Sequence, residues 1–158
     1  MNKISYTNTM PYEYDPNRKG SHYKIGEKWK NAGELAESIT KFHRGLDYLV
    51  NPKTSYDNGS DIESLNASVK SSGASLACLY GNSFEQIIDT YFANVHSTLW
   101  IYVVKVDEEI IEYHMNAKEF REFLEGWAQI AVESNSHLLK VRFKKTSLKM
   151  IKWLEERL

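Results

Sequence analysis

Apolar positions recur with helical spacing in four segments of the chain, and the first of these segments is residues 31–44. Its apolar stripe consists of Ala32, Leu35, Ala36, Ile39 and Phe42. Asn31 and Glu34 have the spacing of a capping box, and Gly45 is placed to end the helix. The pattern therefore predicts a helix that buries one face.

Three later segments have the same periodicity. Ser83 begins the second predicted helix, which carries a continuous apolar stripe. Asn116 caps the third, whose buried face is expected to reach Ala131. The fourth covers residues 147–158 and is basic and amphipathic, and we expect Leu148 to point inward from it.

Six shorter segments have the alternating or fully apolar patterns that favour strands. They are residues 46–50, 61–65, 66–70, 99–104, 109–115 and 138–143. Residues 99–104 carry no charged side chain, which predicts a strand buried on both faces at the centre of a sheet. Residues 109–115 follow closely enough to be its hairpin partner.

The order of predicted elements is helix, three strands, helix, two strands, helix, strand and helix. The segments 61–65 and 66–70 are joined too closely for a helix between them, which indicates a hairpin or meander. The sequence therefore predicts a single α/β domain of the α+β type over residues 31–158, with a mixed sheet flanked by helices. Residues 1–30 are expected to form a partly flexible N-terminal arm.

The single cysteine, Cys78, excludes a disulfide framework and favours a reducing compartment. It lies in an apolar run, so we interpret it as a core thiol. The start of the chain has no apolar core of signal-peptide length, and the apolar run of residues 99–104 is too short to cross a bilayer. We therefore expect a soluble cytoplasmic protein with no membrane partner.

Charge is unevenly distributed although the net charge is only −1. The middle of the chain is acidic and both ends are basic, which fits an enzyme that gathers cations and holds a polyanion, and also fits an ordinary solvated surface. Two basic clusters are candidates for contacts with nucleic acid, with solvated surface as the alternative for each. They are Arg18, Lys19, His22, Lys24, Lys28 and Lys30 with Tyr23 and Trp29, and Lys140, Arg142, Lys144, Lys145, Lys149 and Lys152.

Asp61, Ser68, Lys70 and Glu85 are the four residues that most narrow the function, because together they could build a magnesium site for cutting a phosphodiester. Asp61 follows a turn-rich run at the start of a predicted strand, and the next strand places Ser68 and Lys70 on one face. Hydrolysis of a phosphodiester requires a metal, an activated water and usually a cation near the phosphate. Magnesium prefers carboxylate oxygens and needs few protein ligands, so Asp61 with one more acid would suffice, and Lys70 would orient the water or stabilise the phosphate.

Structural roles remain open for each of these residues. Asp61 could be a turn residue, and Lys70 could extend its ammonium group to solvent. Glu85 lies in the first turn of a predicted helix, where the helix dipole favours a glutamate without any function. The five histidines and the cysteine show no zinc-ligand spacing, and no glycine-rich phosphate loop occurs. A zinc enzyme and nucleotide-driven chemistry therefore have no support in the sequence.

Residues 31–106 resemble the PD-(D/E)XK nuclease superfamily, whose core is a helix, a strand meander with the acidic residues and a lysine, a second helix and a further strand. In this resemblance Asp61 is the first acid, preceded by Ser60 in place of proline, and Lys70 is the motif lysine. Ser68 occupies the position two before the lysine, which is normally acidic.

The Ser68-Val69-Lys70 triplet is similar to that of a subgroup of type II restriction endonucleases, in which a downstream helix supplies the missing carboxylate. The resemblance assigns this role to Glu85, in the first turn of the second helix. Glu63 is an alternative second ligand, as it shares the predicted strand face with Asp61. Glu34 and Glu37, on the first helix, resemble the place where many of these nucleases carry a further acid, and Glu37 is the better candidate of the two.

The resemblance implies a magnesium-dependent endonuclease of restriction-endonuclease-like fold that cuts DNA, with Asp61 and Glu85 as metal ligands. Cleavage of a duplex by such a small unit would require a homodimer. The rivals are a catalytically inactive relative that binds nucleic acid and a protein-interaction module of the immunity or anti-defence type. The recognition sequence, DNA versus RNA, and a setting in restriction, repair or mobile-element movement stay open.

Overall fold

The computed structural model describes residues 1–49, 60–72, 75–78, 83–132, 139–143 and 145–158, with backbone alone for 75–78, 130–132 and 139–143. The helices are α1 (Ala32–Phe42), α2 (Phe84–Asn94), α3 (Ala117–Trp127) and α4 (Leu148–Glu155). The strands are β1 (Asn2–Thr7), β2 (Glu13–Tyr14), β3 (Tyr23–Ile25), β4 (Lys28–Lys30), β5 (Ala67–Ser71), β6 (Ser75–Cys78), β7 (Leu99–Val106), β8 (Glu109–Met115), β9 (Ala128–Val132) and β10 (Leu139–Phe143). The predicted α/β class is confirmed.

The central sheet has the strand order β1-β8-β7-β5. Strand β5 is parallel to β7, and α2 lies between them in the chain. The hairpin of β7 and β8 is antiparallel, as the sequence predicts. The described residues add two small antiparallel sheets, β2-β3-β4 and β6-β10-β9.

Apolar side chains cover both faces of the central sheet. On one face Trp100, Tyr102 and Tyr113 pack with buried residues of α2, α3 and α4. On the other face Ile101 and Val103 pack with buried residues of α1 and β5. The alternation along β7 thus fills both layers, which confirms that this strand is buried on both faces.

The predicted helix starts are confirmed by side-chain caps. Asn31 and Glu34 form a reciprocal capping box at α1, and Asn116 and Glu119 form another at α3. Ser83 caps α2 by accepting a hydrogen bond from the backbone N–H of Gln86. These polar contacts satisfy N–H groups that a helix start would otherwise leave unpaired.

The N-terminal residues have more regular structure than the sequence pattern indicates. Asn2–Thr7 forms an edge strand of the central sheet, in register from Asn2 opposite His114 to Thr7 opposite Glu109. Residues 13–30 form the β2-β3-β4 meander, which leads directly into α1. The expected arm of residues 1–30 therefore contains four strands of the fold.

Two predicted strands are wrong where the structure describes them. Residues 46–49 form bends and irregular backbone, and residue 50 lies outside the described residues. In place of a strand at 61–65, only Ile62 makes an isolated bridge, and residues 63–65 form a short 3-10 helix. Asn66 follows with φ 47°, a left-handed conformation that reverses the chain immediately before β5.

Two further details of the predicted helices are also wrong. The third helix ends at Trp127, and Ala131 lies in β9. Leu148 does not point inward, as 90% of it is exposed at the first position of α4. In its place Met150 and Leu154 are fully buried.

Some predictions concern residues whose side chains lie outside the described part of the chain. They are the turn-rich run of residues 54–59, the core position of Cys78, and the basic residues Lys140, Arg142 and Lys144. Among the helices that are described, none has the length and apolar character needed to cross a membrane.

Candidate functional site

Glu37 and Asp61 form a pair of acidic residues beside β5. Glu37 projects from the buried face of α1 and is 9% exposed. Asp61 lies just before the turn that leads into β5 and is partly exposed. Burial raises the pKa of Glu37, and the negative charge of Asp61 raises it further, so the two carboxylates lie within electrostatic range of each other.

Backbone hydrogen bonds fix the position of Asp61. Its N–H donates to the carbonyl of Ala67 at 2.8 Å. Its Oδ2 accepts from the backbone N–H of Val69 at 2.7 Å. Ile62 and Ala67 exchange hydrogen bonds of 3.0 and 3.1 Å in the intervening turn. Asp61 is thus held along β5, at the level of the residue before Lys70.

Lys70 and Lys41 supply positive charge to the acidic pair. The charge of Lys70 favours ionised Asp61, and Lys41 acts on Asp61 in the same direction. Lys41 Nζ also lies 2.8 Å from Glu37 Oε1, one helical turn away on α1. The site therefore has two carboxylates and two ammonium groups in one electrostatic unit.

Lys30 adds a third cation at the margin of this unit. It ends β4, is only 2% exposed, and donates to the carbonyl of Leu49 at 3.4 Å. Burial lowers the pKa of Lys30, while the charges of Glu34 and Glu37 oppose that change. Lys30 thus connects the meander to the acidic pair.

Both carboxylates of the pair ionise less readily than usual. Burial raises the pKa of Glu37, and the charge of Asp61 raises it further. Burial also raises the pKa of Asp61, although Lys70 and the Val69 N–H partly offset this effect. Perturbed carboxylates with a specific charged neighbour are typical of functional sites, and they occur in structural ion pairs as well.

The donor set of Glu37 and Asp61 fits a hard divalent cation. Two carboxylates near each other favour a bound cation, because it removes their mutual repulsion. Magnesium commonly uses one or two protein carboxylates and completes its coordination with water and phosphate oxygens. No group of three or more acidic, histidine or cysteine ligands occurs among the described residues. Glu37 and Asp61 are therefore the two carboxylates that could hold such a cation.

Ser68 lies in β5 as predicted, but its hydroxyl has a structural partner. It is fully buried, and its Oγ is 2.8 Å from Oγ of Ser97. The register pairs Ser68 with Trp100, whose side chain packs in the layer of α2 and α3. The predicted face shared by Ser68 and Lys70 is consistent with this register, because Lys70 pairs with Tyr102 of the same layer.

Strand β5 is an edge of the central sheet as described, and this position brings charges from both layers to Asp61. Val69 packs in the layer of α1, so its neighbour Lys70 belongs to the opposite layer. Lys41 approaches from α1 itself. The charges of both lysines act on Asp61 because its carboxylate lies beside the strand rather than within one layer.

Glu63 and Glu85 are both exposed. Glu63 belongs to the 3-10 helix, so the strand face that it was expected to share with Asp61 does not exist. Glu85 lies in the first turn of α2, as predicted. In the part of the chain that is described, no hydrogen bond or ion pair joins Glu85 to Asp61 or Lys70. Its role as a ligand stays a prediction, as does that of Glu37, whose pKa is raised by burial and by the charge of Asp61.

Sequence reasoning missed Lys41 and Lys30 as members of the site. Lys41 follows Glu37 by four residues on a predicted helix, which is the spacing of a favourable ion pair. The spacing predicts an ion pair, but pairs of this kind are usually exposed, so it does not predict a buried site. The burial of Lys30 carries no local signal, since it depends on the packing of the meander against α1.

A second buried carboxylate, Glu112, lies in β8 and is fully buried. Arg44 donates to both of its oxygens, at 2.6 and 3.0 Å, and His114 Nε2 lies at 2.9 Å. The hydroxyl of Tyr6 is a further hydrogen-bond donor. Burial alone would raise the pKa of Glu112, but these hydrogen bonds outweigh it and lower the pKa to about 2. Both carboxylate oxygens of Glu112 therefore accept hydrogen bonds from protein side chains.

The first basic cluster is associated with aromatic rings of the meander. The guanidinium of Arg18 lies 4.0 Å from the ring centre of Trp29. Tyr14 stacks on Tyr23 with 5.1 Å between ring centres and is 58% exposed. Lys30 of this cluster is buried, so it is not part of the solvated surface.

Neither protein-family models, nor curated proteins, nor solved structures give a match to this chain. Any functional assignment therefore depends on the fold and the contacts of the described residues.

Proposed function

We propose that this protein is a magnesium-dependent endonuclease of the PD-(D/E)XK type that hydrolyses phosphodiester bonds in DNA. The observation that carries the proposal is the position of Asp61, whose Oδ2 accepts from the Val69 N–H of β5 at 2.7 Å, within electrostatic range of Lys70 and Glu37. Asp61 and Lys70 are the two residues of the motif, and Glu37 replaces Glu85 as the second ligand. Ser68 is assigned no role in the reaction.

The chemistry follows from the charges of these residues. A bound magnesium ion would neutralise developing charge on the phosphate and lower the pKa of a coordinated water. Glu37 and Asp61 would hold that ion, and burial raises the pKa of both carboxylates. Lys70 would stabilise the attacked phosphate or orient the water by donating hydrogen bonds from its ammonium group.

Contacts with DNA and with a second copy of the chain complete the proposed activity. The basic residues of the meander would contact the phosphate backbone, which predicts affinity that falls with salt. Cleavage of both strands would use a homodimer, since the described residues of one chain hold one such site. The lone Cys78 fits a cytoplasmic location.

Cleavage of supercoiled plasmid in the presence of magnesium tests the proposal. We expect Asp61→Asn, Glu37→Gln and Lys70→Met each to reduce the cleavage rate about 100- to 1,000-fold, as is usual when an electrostatic group of the transition state is removed. Glu63→Gln and Glu85→Gln are matched controls, because they remove exposed carboxylates near the same segment of chain. Activity that survives in Asp61→Asn contradicts the proposal, and activity lost in Glu85→Gln but kept in Glu37→Gln returns the second ligand to Glu85.

A catalytically inactive nucleic-acid-binding protein is the second candidate. The observation that favours it is the 2.8 Å ion pair of Lys41 with Glu37, because an internal ammonium can take the place of a metal ion permanently. This candidate predicts salt-dependent DNA retention without cleavage at any magnesium concentration. Binding that does not respond to salt would contradict both candidates and leave a protein-interaction module.

A further inference from the structure

Lys41 is bound to the carboxylate that the proposed metal site requires. Its Nζ lies 2.8 Å from Glu37 Oε1, and the two side chains are each 11% exposed. Its charge also acts on Asp61. A cation of the chain is therefore already paired with Glu37, and its charge reaches Asp61, the other carboxylate that a divalent cation would use.

The burial of this pair separates it from an ordinary helical ion pair. Lys152 and Glu156 of the last helix have the same four-residue spacing, but their atoms are 4.0 Å apart and the side chains are 78% and 60% exposed. Water and salt screen an exposed pair strongly and a buried pair much less. The charge of Lys41 therefore repels any second cation that approaches Glu37.

We infer that Lys41 is an internal counter-ion that a divalent cation must displace from Glu37. The inference rests on the proposed function, since it requires Glu37 and Asp61 to be metal ligands. Lys41 is then a positioning residue: it compensates the two carboxylates in the metal-free protein and keeps the affinity of the site for divalent cations low.

Calorimetric titration of the full chain with Mn²⁺ at pH 8 tests this inference without any measurement of activity. We expect Lys41→Met to bind Mn²⁺ about ten-fold more tightly than wild type, because one neighbouring unit charge changes the proton affinity of a carboxylate by about that factor or more. Lys41→Arg restores the charge and is expected to bind as wild type does. Lys152→Met is the matched control and should also match wild type. Equal or weaker binding by Lys41→Met overturns the inference.

Asp61→Asn separates this inference from the proposed function. If wild type binds Mn²⁺, Asp61→Asn does not, and Lys41→Met binds no more tightly, then the inference alone fails. If neither wild type nor Lys41→Met binds Mn²⁺, the metal site itself fails and the inference fails with it.

A measurement on the wild-type chain covers the case in which Lys41→Met does not fold. In protein labelled with ¹³C at the lysine side chains, we expect the Lys41 signal to move as Mg²⁺ saturates the site, and the Lys152 signal to stay in place. A Lys41 signal that is unchanged at saturation overturns the inference.

Discussion

Glu112 and the pair formed by Glu37 and Asp61 differ in how completely the protein compensates their negative charge. Glu112 receives hydrogen bonds from Arg44, His114 and Tyr6, and its pKa falls to about 2. Glu37 and Asp61 are neighbours of each other, and the pKa of both is raised. A carboxylate whose burial is offset by hydrogen bonds stabilises the fold, whereas carboxylates whose burial is only partly offset have capacity left for a ligand.

The strongest test of this comparison is the replacement of Glu112. Glu112→Gln leaves Arg44 without its anionic partner, and we expect the free energy of unfolding to fall by about 3–5 kcal/mol. Urea unfolding at pH 7 measures the change. Glu156→Gln, which removes an exposed partner, should change it by less than about 0.5 kcal/mol. A loss of similar size in both variants would mean that Glu112 stabilises the fold no more than an exposed glutamate does.

A fall in pH should change the stability contributions of Glu112 and of the Glu37–Asp61 pair in opposite directions. The pKa of Glu112 is lowered, so its contribution is complete above the ordinary glutamate value of 4.5 and is lost as pH falls toward about 2. The contribution is on the order of 3 kcal/mol. Glu37 and Asp61 have raised pKa values, so their ionisation opposes folding at neutral pH, and this cost is relieved as pH falls.

Urea unfolding of wild type and Glu112→Gln at several pH values between about 7 and about 2 measures this dependence. The gap in stability between the two proteins should narrow steadily as pH falls below 4.5, the ordinary glutamate pKa. A gap that stays constant over the whole range would show that Glu112 does not titrate as described.

Ser68→Ala gives an intermediate effect that concerns stability alone. It leaves the buried hydroxyl of Ser97 without its 2.8 Å partner, and we expect a loss of about 1–2 kcal/mol. Magnesium-dependent cleavage should be unchanged, because Ser68 is assigned no part in the reaction. A large loss of cleavage by a folded Ser68→Ala would place this residue back in the site.

The smallest expected effect is a gain in thermal stability in the variant Asp61→Asn. Asp61→Asn removes a carboxylate whose pKa is raised by burial, while its amide oxygen still accepts from the Val69 N–H. We expect the midpoint of thermal unfolding to rise, equivalent to about 1 kcal/mol, in the variant that has lost cleavage. A marked fall in the midpoint would mean that Asp61 is structural, as Glu112 is.

Sequence patterns predicted the elements that have local signals. The cap of α1 is encoded by Asn31 and Glu34, and the buried strand β7 by an apolar run, and both are present. The strand expected at 61–65 failed because the chain must reverse between Asp61 and Ala67, which Asn66 achieves in a left-handed conformation. The short alternation of apolar residues there does not reveal that reversal.

The candidate site was predicted only in part, because it is assembled from distant segments. Asp61 and Lys70 were identified by a motif, and Glu37 by its place on the first helix. The choice between Glu37 and Glu85 depends on which helix packs beside Asp61, and local periodicity does not contain that information. The burial of Lys30 and the pairing of β1 with β8 likewise depend on partners far along the chain.

The register of β1 has a consequence for the order in which the protein is made. Asn2 pairs with His114, so the strand of this sheet that is synthesised first must wait for the one synthesised last among those described. During that interval Tyr6 and Arg44 have already left the ribosome, but Glu112, which accepts hydrogen bonds from both side chains, has not. Such distant pairings form slowly, so the outer edge of the sheet is expected to close late in folding.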